Sequence, residues 1–76
     1  MSKVFQLQQQ IVKTLVEKIR TNEVDLNRAK IISAQVLVII SETATDIQLV
    51  QILDQLQLIP EFTSTILKFK NELNVS

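Results

Sequence analysis

Apolar and polar positions recur with a helical period in four successive stretches of the 76-residue chain. In the first, Val4, Phe5, Ile11, Val12, Leu15, Val16 and Ile19 gather on one broad side, with Leu7 at its margin. Gln6, Gln9, Gln10, Lys13, Glu17 and Arg20 take the opposite side. Spacing of i, i+3, i+4 and i+7 marks an amphipathic helix, and it predicts one over 3–20. Gln8 interrupts the pattern from the middle of the apolar side. An amide there either reaches water at an open end of the fold or hydrogen-bonds across an interface between chains, fixing register as buried polar residues do in coiled coils.

The second stretch has a different character. After the break at Thr21–Asp25, where Asp25 is preferred over Asn22 as helix cap and Val24 is placed to staple onto the new helix, the chain runs into Ile31–Ile40, IISAQVLVII. On a helix, Val36, Leu37, Val38, Ile39 and Ile40 point in five directions around the axis. A helix that is apolar on all sides is expected to be buried on all sides. The β-branched run QVLVII also suits a doubly buried strand. Helix is preferred because the pattern extends back through Asp25–Lys30 and no other segment alternates with period two to pair with it. The predicted helix is 26–42.

Thr45-Asp46-Ile47-Gln48 fits a capping box, with Asp46 suited to the positive end of the helix dipole. It opens a predicted helix over 46–57 whose Leu49, Ile52, Leu53 and Leu56 face inward and whose Gln48, Gln51 and Gln55 face water. Pro60 pushes Ile59 out of helical geometry and suits the first position of a last helix, predicted over 60–73. Glu61 falls in its first turn, Phe62, Ile66, Phe69 and Leu73 form its stripe, and residues 74–76 are expected to fray. The expected fold is therefore all-α: one domain, 1–76, forming a compact antiparallel four-helix bundle with helix two, about 25–42, at its centre.

Composition narrows what such a bundle does. A chain of this size buries only about 60% of its unfolded surface, and small domains commonly add a disulfide, a metal or a second subunit. There is no Cys and no His, which leaves self-association or docking on a larger partner. The same absences remove the commonest general base and the strongest nucleophile. The lack of any Gly removes the usual phosphate-cradling loop. Glu42 and Asp46 are spaced like paired carboxylates, but Thr43–Thr45 is expected to break the helix between them. No catalytic residue, cofactor site or metal site is expected.

Net charge is zero but segregated: residues 1–30 carry six basic and three acidic side chains, and 31–67 carry Glu42, Asp46, Asp54 and Glu61 with no basic residue. Lys13, Lys18, Arg20, Arg28 and Lys30 flank the first turn. They form the one feature that suggests a nucleic-acid-binding regulator, diluted by Glu17, Glu23 and Asp25. The polar side of the first helix is rich in Gln and poor in the Lys and Arg expected of a membrane-surface helix. The segment after Lys3 is interrupted by four Gln and forms no apolar signal core, so a cytoplasmic setting is expected. With Val12, Leu15, Val16 and Ile19 turned toward helix two, Leu7, Gln8, Ile11 and Lys18 form the expected margin for a protein partner or a second copy of the chain. The sequence thus points to a small interaction or assembly module that self-associates.

Overall fold

The computed structural model describes residues 2–42 and 46–75. Four α-helices contain most of them: α1 (Lys3–Arg20), α2 (Leu26–Glu42), α3 (Leu49–Gln57) and α4 (Thr63–Val75). Short 3-10 turns, Asp46–Gln48 and Pro60–Phe62, lead into α3 and α4. The described residues include no strand, so the QVLVII run is helical. α1 packs against α2 and α4, and α3 packs against the same two. At 18 residues α1 is about 27 Å long, in a molecule of 33 × 26 × 22 Å.

The start of α1 is closed by side chains both near to it and far from it in sequence. Ser2 caps α1 by accepting from the Phe5 amide at 3.0 Å, and the Gln6 amide donates to the Ser2 carbonyl. Two further amides of that turn, those of Lys3 and Val4, donate to the Asp46 carboxylate at 3.2 and 3.1 Å. The orphan amides of Lys3, Val4 and Phe5 are thereby satisfied, and the Gln6 bond is the first of the helix proper. Asp46 accordingly serves a helix more than 40 residues away in sequence, where its spacing had suggested service to its own. The proposed cap Thr45 lies outside the described residues.

The end of α1 solves a problem peculiar to a chain without glycine. Asn22 takes the left-handed conformation, φ 60°, which Asn tolerates better than most residues. The Glu23 amide returns to the Lys18 carbonyl at 2.9 Å and the Asn22 amide to Ile19 at 3.2 Å, the paired closure of a Schellman motif. Asn22 thus ends the first helix, and Asp25 starts the second by accepting from the Arg28 amide at 2.7 Å. Val24 and Ala29, at the staple positions around that cap, are both buried. Ile59 is extended ahead of Pro60, and α4 continues to Val75, two residues past its expected end.

The core has its centre elsewhere than expected. Leu7, Ile32, Ile52, Leu53, Leu56, Phe62 and Ile66 are completely buried, each side chain contributing about 1.5–3 kcal/mol. Three of the seven belong to α3, and Phe62 and Ile66 open the last helical segment. α2 contributes Ala29, Ile32 and Ile40, with Val36 and Ile39 partly covered. Its opposite side is open: Ile31, Leu37 and Val38 are 52, 67 and 56% exposed. The expectation that helix two is enclosed is not met. Three amphipathic helices bury their stripes only by facing one shared interior, and α2 then fills one side of that interior. None of the described residues covers its back.

Candidate protein interface

The same interior explains the rotation of α1. Val4, Leu7 and Ile11 point into the core, joined by Leu15 and Ile19, whereas Phe5, Val12 and Val16 stand 43, 60 and 48% exposed. The broad apolar arc read from the sequence is therefore two stripes. One is core and the other faces water, with Gln8 between them. Leu7 and Ile11, expected on a docking margin, are corrected to core positions. Leu7 has no exposed surface, and Ile11 shows only as the floor of a groove.

That groove runs between α1 and α2. Gln8, Ile11, Val12, Val36, Leu37, Ile40 and Ser41 line about 440 Å³, and no charged side chain is among them. A second groove of about 440 Å³ lies on the outer side of α1, lined by Phe5, Gln8, Gln9, Val12 and Lys13. Gln8 and Val12 are common to both and form the ridge between them. Val16 continues that ridge one turn on, at i+4. On α2 the exposed apolar surface passes from Leu37 by way of exposed Ala34 to Val38 and Ile31. From Ile31 to Ser41 the helix carries no charge.

Gln8 itself is half-buried, and its amide makes no hydrogen bond to the described residues. Lys18 is also half-buried, but its role is local. Its carbonyl closes the α1 terminus and its ammonium lies 4.0 Å from Glu23. Neither Val12 nor Leu37 stood out in the sequence. The available signal was the 4/7/11 spacing of the first helix, which by itself accounts for one full stripe and leaves Phe5, Val12 and Val16 in surplus.

Two of the basic residues around the first turn, Arg28 and Lys18, are paired with carboxylates. Arg28 Nε and Nη2 donate to the two Glu61 carboxylate oxygens at 2.8 and 3.0 Å, joining α2 to the turn before α4. These hydrogen bonds hold the Glu61 carboxyl below its ordinary range, against the opposing effect of desolvation, and raise Arg28. Elsewhere Lys70 reaches Asp54 at 3.0 Å and the Gln57 side chain at 2.7 Å, tying α4 to α3. Thr14 and Thr65 hydroxyls meet at 3.0 Å between α1 and α4. They sit in a smaller polar groove whose two Lys and two Glu balance in charge. Among the described residues no group of His, Cys, Asp or Glu is arranged to hold a metal ion. None of their helices is long and apolar enough to cross a membrane. No protein-family model matches the chain, and no curated protein or solved structure is significantly similar to it.

Proposed function

We propose that this protein is a small cytoplasmic interaction or assembly module, without catalytic activity, that self-associates through the outer side of α2 and the adjoining stripe of α1. The four helices are inferred to run antiparallel, as short connections between packed neighbours favour. One observation carries the proposal: the most apolar helix of the chain is covered on one side only. Phe5, Val12, Val16, Ile31, Leu37 and Val38 together leave on the order of 500 Å² of apolar surface in water, at the upper end of what a monomer commonly exposes in one patch. With Gln8, Gln9, Ala34 and Ser41 the face approaches the roughly 800 Å² per partner of a standard interface.

A second copy is the occupant that suits this surface. The Gln8–Val12 ridge lies beside the α1–α2 groove on the same face. Two copies related by a twofold axis therefore present ridge to groove in both directions. The groove between α1 and α2 has no charged lining residue and so favours an uncharged occupant, which the Gln8–Val12 ridge of a second copy supplies. Nucleic acid suits the molecule less well, since Arg28 and Lys18 are already engaged by Glu61 and Glu23.

Sedimentation velocity over a concentration series from low micromolar to near-millimolar tests the proposal. Wild type is expected to pass from monomer to dimer. Val12→Glu combined with Leu37→Glu is expected to stay monomeric and helical, because association would bury unpaired carboxylates. A wild type that remains monomeric throughout the range refutes self-association.

A further inference from the structure

Resting on that self-association, we propose that Gln8 is the residue that sets its register, pairing amide to amide with Gln8 of the second copy at the twofold axis. Gln8 occupies the ridge between the two grooves, so it lies near the middle of the α1 part of the face. The residues that share its two grooves are mostly apolar, Phe5, Ile11, Val12, Val36, Leu37 and Ile40, and the polar ones, Gln9, Lys13 and Ser41, make no hydrogen bond to its amide. Within the described chain its amide is without a hydrogen-bond partner and is open to water. When the face is covered that water leaves, and both the carbonyl and the NH₂ of Gln8 need replacement partners.

In a twofold interface the covering surface is the same face again. The polar side chain common to both grooves of that face is the other Gln8. A primary amide carries both donors and acceptors, so two of them satisfy one another reciprocally where two carboxylates or two ammonium groups repel. A shift of the helices by one turn sets each amide against valine or leucine instead, which disfavours the shifted pairing. Gln8 is in this respect a specificity residue, of the kind that a lone polar side chain provides in a coiled-coil seam.

Charge exchange at position 8 tests the pairing. Gln8→Glu and Gln8→Lys are each expected to weaken dimerisation by about tenfold or more when studied alone, since like charges meet at the axis. Mixed in equal amounts, the two are expected to recover association and form a heterodimer that native mass spectrometry resolves. The same exchange at the exposed neighbour, Gln9→Glu with Gln9→Lys, is expected to show no comparable recovery. A dimeric wild type whose position-8 mixture associates no better than the separate variants overturns the pairing while leaving self-association intact. A wild type that never dimerises overturns both. Gln8→Leu guards against loss of fold in the charged variants. It is expected to associate but to lose the single dimer species, and one unchanged dimer would overturn the register role.

Discussion

Leu56→Ala compared with Leu37→Ala asks which helix the fold depends on. Leu56, on α3, is completely buried and Leu37, on the most apolar helix, is 67% exposed. Truncating a fully buried leucine removes its transfer energy and leaves a cavity, for a cost of 2–5 kcal/mol; about 3 kcal/mol is expected here. A 76-residue domain has roughly 4–11 kcal/mol of stability in all, so the change takes a large share of it. At about 4–8 °C per kcal/mol for a domain of this size, the melting temperature is expected to fall by roughly 12–24 °C. Leu37→Ala, by contrast, is expected to change stability by no more than about 0.5 kcal/mol. Both are measured by circular dichroism melts and urea titration at protein dilute enough to suppress association, which would otherwise add its own stabilisation. If Leu37→Ala costs as much as Leu56→Ala under those conditions, α2 is enclosed after all, and the interface inferred from its exposure is lost.

The Arg28–Glu61 pair predicts a pH-dependent difference between wild type and Glu61→Gln. The folded carboxyl is held below the ordinary value of 4.5, so its stabilisation is present above that value and lost as pH falls through the lowered folded one. Urea midpoints are expected to favour wild type near neutrality and to converge with the variant at low pH; a gap that widens on acidification would contradict the assigned hydrogen bonds. Asp46→Ala removes the acceptor for the Lys3 and Val4 amides and is expected to cost about 1 kcal/mol. Hydrogen exchange checks where that cost falls, with protection lost first at Val4, and unchanged protection there would refute the long-range cap.

The parts of the fold legible in the sequence are those decided within a few residues. The α3 stripe Leu49, Ile52, Leu53 and Leu56 and the α4 stripe Phe62, Ile66, Phe69 and Leu73 are narrow and of a single phase, so period alone identifies their inward side; all are buried except Leu73, which is half-buried at the edge of the core. Asp25 is a cap because its carboxylate reaches an amide three residues on, a distance that the sequence displays directly. Asn22 reads in the sequence as an alternative cap of the second helix, whereas it closes the first, through a left-handed backbone that composition does not reveal.

What lay beyond the sequence has a common physical origin. α1 and α2 carry apolar residues over more of their circumference than one neighbour covers, and periodicity does not say which part of a wide arc is core. Packing against α3 and α4 made that choice. It sent Leu7 and Ile11 inward and left Val12 and Val16 out, and it buried Ile32 and Ile40 while exposing Ile31, Leu37 and Val38. The ties from Asp46 to the start of α1 and from Arg28 to Glu61 span 42 and 33 residues. Bonds of that reach depend on where helices come to lie, because a carboxylate selects its donor by proximity in space and not along the chain.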